Sequence, residues 1–156
     1  MYMGTIMGKR GRSALLLWLL ASCGEQPAAG TGTFPVPVDV GGRGGVKAEL
    51  RADHRGGATF EQVAREHGEK DFAGASVEGK SFTGPSDVYL LTLELENGTG
   101  GELRAPDLTL VLPDEAGVTL RTRRQSIAPG AKARFLYYWD PGRVVPRVSA
   151  RLSWAP

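Results

Sequence analysis

The clearest order in this chain is an alternation of apolar and polar residues in its second half. Tyr89, Leu91, Leu93 and Leu95 interleave with Leu90, Thr92, Glu94 and Glu96, a period of two that marks a half-buried strand. Asn97-Gly98 ends it with a turn dipeptide. Leu108, Leu110 and Leu112 repeat the pattern, Pro113 to Gly117 reads as a hairpin loop, and Val118, Leu120 and Thr122 return. After the turn Ala128-Pro129-Gly130, one face carries Ala133, Phe135, Tyr137 and Trp139. Beyond Asp140-Pro141-Gly142, Val148, Ala150, Leu152 and Trp154 point one way, while Arg147, Ser149, Arg151 and Ser153 point the other.

Earlier in the chain, Val46–Ala52 and Ala75–Phe82 are further strand candidates. Between them Phe60, Val63, Ala64 and His67 fall at helical spacing, behind Thr59 and Gln62 set as a capping box. One helix of about ten residues is expected, ending near Gly68. Short strands punctuated by turns predict a mainly β domain, an antiparallel sandwich of immunoglobulin-like type with one short helix, over residues 46–156.

A different pattern precedes it. Residues 24–45 hold seven Gly and three Pro among 22 positions, with few large apolar groups. Such a stretch buries too little to offset its ordering entropy and is expected as a flexible tether. Before it, Lys9, Arg10 and Arg12 lead into the apolar run Ala14–Ala21. Eight residues fall short of the ~20 that a membrane-spanning helix needs, whereas a short apolar run behind basic residues is the pattern of an export signal over residues 1–22. Met7, directly before the basic stretch, is a candidate start.

The run closes on Leu20-Ala21-Ser22-Cys23, which resembles the lipobox of bacterial lipoproteins. The resemblance implies cleavage before Cys23 and a covalent N-terminal lipid on its thiol and amine, the only cofactor-like group expected. A conventionally cleaved leader, or a buried helix with an incidental Cys, are the alternatives. Gly24 rather than Asp follows Cys23, which by the same resemblance implies the outer membrane of a Gram-negative cell. The stretch from Tyr89 to Tyr138 is also similar to small immunoglobulin-like domains of bacterial lipoproteins, in Glu96-Asn97, Pro106, and Pro129-Gly130 ahead of Phe135 and Tyr137.

Composition narrows the chemistry. The 156 residues include one Cys and two His, which excludes an internal disulfide, a Cys-based zinc cluster and a three-histidine metal site. His54 and His67, near Asp53, Glu66 and Asp71, remain weak metal or acid–base candidates with no ligand spacing between them. Gly74, Gly79, Lys80 and Ser81 satisfy the P-loop spacing, but Glu66–Asp71 before them is too polar for a buried strand and Gly84-Pro85 after them stops a helix. The match reads as a decoy, and no catalytic residue is assigned.

The net charge of +2 is too small to argue for nucleic acid. Without Lys9, Arg10 and Arg12 it becomes 16 bases against 17 acids, or −1. Residues 23–102 carry 13 acids and 7 bases (−6), and residues 103–156 carry 4 acids and 9 bases (+5). Strand parity places Arg121, Arg123, Lys132, Arg134, Arg147 and Arg151 outward, with Tyr138 beside Arg134. They form a candidate basic interaction face, against the plainer reading of a solvated sheet whose arginines guard its edges. The expected function is a non-enzymatic adaptor or accessory subunit of an envelope complex, such as a secretion or surface assembly, held to the membrane by its lipid. The alternative is an envelope enzyme or a ligand or metal carrier built around His54 and His67.

Overall fold

The strands with the cleanest alternation form the centre of the larger sheet. The computed structural model describes residues 32–68, 71–77, 85–113 and 116–156. Strand β3 (Val46–Ala58) pairs antiparallel with β5 (Ser86–Asn97), setting Leu50 opposite Leu93 and Ala52 opposite Leu91. Strand β10 (Lys132–Asp140) takes the other side of β5, with Phe135 opposite Leu93 and Tyr137 opposite Leu91. With β1 (Gly32–Val36) and β4 (Phe72–Val77) at its edges, the order is β1-β3-β5-β10-β4.

A second sheet runs β2-β11-β7-β8, from β2 (Val38–Asp39), β7 (Asp107–Val111), β8 (Val118–Leu120) and β11 (Ser149–Ser153). Its inward Leu108, Leu110, Leu120 and Leu152 share one buried cluster with Leu91, Leu93, Phe135, Tyr137 and Trp139 of the first sheet. Each such side chain contributes roughly 1.5–3 kcal/mol through burial. A two-stranded ribbon of β6 (Leu103–Arg104) and β9 (Ser126–Ile127) adds Leu103 and Ile127 to the same cluster. Asn97, which the sequence marks only as a turn residue, is buried and donates to the carbonyls of Ile127 and Gly101 at 2.9 and 2.8 Å, tying the ribbon to the end of β5.

The protein is thus mainly β with several sheets, as expected, and three expectations need correction. Residues 32–45 are not tether. Thr33 to Val36 pair with β3, Val36 is 4% exposed, and β2 pairs with β11. The Gly and Pro content hides the apolar side chains Phe34, Val36, Val38 and Val40, all of which meet the core. Pro35 is tolerated because β1 is an edge strand. Pro37 stands where the chain passes from one sheet to the other, and its carbonyl accepts the Ala150 N–H at 2.8 Å. Second, the pairing is not purely antiparallel, since β2–β11 and β4–β10 are parallel. Third, the strand expected at 75–82 begins at Phe72, while residues 78–82 lie outside the described residues. The export signal, lipobox and Cys23 also lie outside them.

The helix α1 (Phe60–His67) matches its expectation closely. Thr59 Oγ1 accepts the Gln62 N–H at 3.2 Å, and the Gln62 side chain accepts the Thr59 N–H at 2.9 Å. Val63 and Phe60 then pack with Phe72, Val88, Leu90 and Tyr138, on the face of the first sheet that points away from the second. Among the described residues no helix is long and apolar enough to cross a membrane.

Candidate functional site

The expected basic face is divided by the architecture. Lys132 and Arg134 lie on the outer face of the first sheet, but the register puts Glu96 opposite Lys132 and Glu94 opposite Arg134. On β3, Lys47 and Glu49 complete the rows. Lys47 Nζ and Lys132 Nζ stand 3.7 and 3.8 Å from the two Glu96 carboxylate oxygens, and Arg51 is 3.7 Å from Glu49. This face is therefore mixed in charge. Arg151 belongs to the other sheet, 3.5 Å from Asp39, and Arg147 borders a shallow hollow with Pro37, Leu112 and Pro113. Outward on one sheet is the opposite direction from outward on the other, so strand parity alone cannot unite these cations.

Tyr138 does not join them. It is 1% exposed, edge-on to Phe60 with ring centroids 4.9 Å apart, and edge-on to Phe72 at 6.3 Å. Burial, with Asp140 adding to it, pushes its phenol up to about 12. The sequence reads Tyr138 as outward correctly, but α1 covers that position.

Gly74, the first residue of the P-loop match, lies inside β4, whose pairing continues to Val77. A Cβ on Gly74 would come 2.5 Å from the Arg121 carbonyl oxygen, so glycine serves a close approach of two backbones here. The Arg123 N–H donates to the Ala73 carbonyl at 3.1 Å beside it. Gly79, Lys80 and Ser81 lie outside the described residues.

Arg121 and Thr122, beside that approach, border a groove of about 560 Å3. Arg104 of β6, Arg121 and Arg124 line it, together with Asp107, Gln125, Ser126, Ser153 and Trp154. Asp107 Oδ1 accepts the Thr122 N–H at 2.8 Å, and the Thr122 and Tyr137 hydroxyls lie 2.6 Å apart. Burial raises the Tyr137 phenol to about 12, against the opposing hydrogen bond from Thr122. Trp154 Nε1 donates to the Val40 carbonyl at 2.7 Å, and the Arg43 guanidinium lies 5.1 Å from the Trp154 ring centroid. Chemically this is a cationic recess with an aromatic side and neutral hydrogen-bonding groups. Arg121 belongs to the basic face that strand parity marks out, whereas Arg104, Arg124 and Trp154 do not. Residues 121–125 are irregular, so no alternation indicates where Arg124 points.

The two histidines sit near α1 in separate settings. His54, 6% exposed, lies 4.9 Å from the Tyr89 ring, with Nε2 3.1 Å from Asp87 Oδ1. The Tyr89 hydroxyl in turn accepts the Val145 N–H at 2.8 Å, and burial raises its pKa. His67 Nε2 stands 3.9 Å from Glu66, beyond hydrogen-bond range. Arg55 links the two settings, bonded to Asp53 at 2.9 Å and to Glu66 at 2.8 Å, and these bonds raise its pKa further. A hollow of about 420 Å3 lies between His54, Arg55, Gln62 and Glu66. Among the described residues no three His, Cys, Asp or Glu side chains gather to hold a metal ion. Comparison with protein-family models, with curated proteins and with solved structures finds no match for this chain.

Proposed function

We propose that this chain is a bacterial lipoprotein, anchored to the outer membrane through lipid on Cys23, whose immunoglobulin-like domain works as a non-enzymatic adaptor in an envelope complex. The anchor rests on the basic residues, apolar run and Leu20-Ala21-Ser22-Cys23 of the N-terminal sequence. The immunoglobulin-like reading is supported by two facing sheets around one core, joined by short turns. The observation that carries the adaptor role is a contrast in pairing. The polar groups around His54 and Arg55 are engaged with one another, while Arg104, Arg121 and Arg124 border an open recess without ion pairs among the described residues. Charge left unmatched at a recess suits binding rather than acid–base chemistry.

The anchor is tested with the Cys23→Ser variant. Labelled palmitate should enter the native protein and not the variant, and the variant should leave the membrane fraction while keeping its β-sheet circular dichroism. Continued membrane attachment of Cys23→Ser would overturn the proposal.

A further inference from the structure

We infer that the groove lined by Arg104, Arg121, Arg124 and Trp154 binds a carboxylate-rich segment of a partner polypeptide. This names the partner chemistry of the adaptor role and rests on that reading of the domain as a binding module.

Arg51, Arg55 and Arg151 each lie within 3.7 Å of a carboxylate oxygen, whereas Arg104, Arg121 and Arg124 form no ion pair among the described residues. Asp107, the one carboxylate that lines the groove among the described residues, has an oxygen already occupied by the Thr122 N–H. Among the described lining residues, three guanidiniums against one carboxylate leave a balance of +2. A planar guanidinium fork matches a carboxylate with two parallel hydrogen bonds, which a compact ammonium cannot do.

The groove is also preorganised. Residues 121–125 form no strand, yet their backbone is held at three points. The Thr122 N–H bonds Asp107, the Arg123 N–H bonds the Ala73 carbonyl, and the Gln125 carbonyl accepts the Ala105 N–H at 2.8 Å. The Arg121 carbonyl also packs closely against Gly74. Trp154 is pinned by its bond to Val40 and by Arg43 over its ring. A groove whose backbone is already ordered loses less freedom when a ligand enters, and that raises affinity. The ring offers a fixed apolar surface, and Gln125, Ser126 and Ser153 offer hydrogen bonds suited to peptide groups.

The shape selects the class of partner. Its volume of about 560 Å3 is that of a site for a small ligand or a few residues of an extended chain. A bilayer surface is flat and cannot enter a recess. Nucleic acid calls for many cations following a phosphate backbone, and three arginines at one recess do not provide that track.

The test uses the full-length protein in neutral detergent, with a fluorescent oligo-glutamate peptide as probe and inorganic polyphosphate as the competing anion. Saturable peptide binding that weakens with added salt is expected. The double variant Arg121→Glu/Arg124→Glu should weaken it about tenfold or more, with unchanged near-ultraviolet circular dichroism. The control Lys132→Glu/Arg134→Glu, on the other sheet face, should bind as the native protein does. No binding by the native protein, equal loss in both double variants, or tighter binding of polyphosphate would each refute the inference. So would native self-association that Arg121→Glu/Arg124→Glu abolishes, because a second copy would then be the occupant. These readings are independent of anchoring. A Cys23→Ser protein that stays on the membrane defeats the lipid anchor and leaves peptide binding unaffected, and absent peptide binding leaves fractionation unaffected.

Discussion

The outer face of the first sheet is one surface with two fates. At one end, Lys47, Glu96 and Lys132 form a row in which both lysines are about 80% exposed at the side chain. Six residues along β10 the equivalent position is Tyr138, which is 1% exposed. The strands are the same, the parity is the same, and the pairing of β10 with β5 runs unbroken from Lys132 to Trp139. Only the covering differs, because α1 and Phe72 lie over Val88, Leu90 and Tyr138, and nothing among the described residues lies over Glu94 and Glu96. Alternation therefore tells which side of a sheet a residue takes, and a separate element decides whether that side meets water.

Removing the covered side chain tests this difference most severely. Tyr138→Ala should destabilise the protein by about 3–5 kcal/mol in urea unfolding, the usual cost of deleting a buried aromatic ring. The loss also strips α1 of its main ring contact, so the α1 amides should exchange hydrogen faster than those of β5. Arg134→Ala, on the same strand and face, should change stability by about 0.5 kcal/mol at most. Similar losses in the two variants would mean that the two ends are not distinguished by cover at all.

Alkaline pH sharpens the same contrast. Tyr138 under the helix and Tyr137 in the core point to opposite sides of β10, and burial pushes both phenols up to about 12. In the unfolded chain a phenol titrates near 10. Between these values the folded state keeps protons that the unfolded state has lost, so each phenol's contribution is complete below about pH 10 and is lost as pH rises through about 12. Stability should fall by about 1.4 kcal/mol per pH unit for each phenol across that window. Tyr138→Phe should remove about one proton's share of the slope in urea midpoints measured at successive pH values. An unchanged slope would show that Tyr138 is already open to water, as Lys132 is.

How much of this the residues themselves announce follows the same line. Leu91, Leu93, Phe135, Tyr137 and Trp139 are legible as core because a strand exposes its period directly. Thr59 and Gln62 are legible as a helix start because capping is local. Tyr138 is read on the correct side of the sheet but as open to water, because its cover comes from a segment more than seventy positions earlier. Phe34 and Val36 are misread because glycine and proline average down a stretch whose few apolar residues all face inward. In the candidate groove, Arg121 is legible from the strand it follows. Arg104 and Arg124 join it through the pairing of β6 with β9 and the approach of residues 121–123 to β4, and Trp154 through the pairing of β11 with β7, none of which local sequence shows.

The smallest expected effect lies at the open end of the face. Glu96→Gln removes both ion pairs of the Lys47–Glu96–Lys132 row. Those contacts are 3.7 and 3.8 Å long and join side chains that solvent reaches, so the pairs are worth little individually. The two lysines left behind sit on strands separated by β5, about 10 Å apart at the backbone, and water screens their repulsion. The variant should lose about 0.5 kcal/mol or less at low salt, and that difference should vanish near 1 M salt, where screening acts over about 3 Å. A loss of about 2 kcal/mol that survives high salt would give the open end the energetics of the covered one, and the distinction between the two halves of this face would fail.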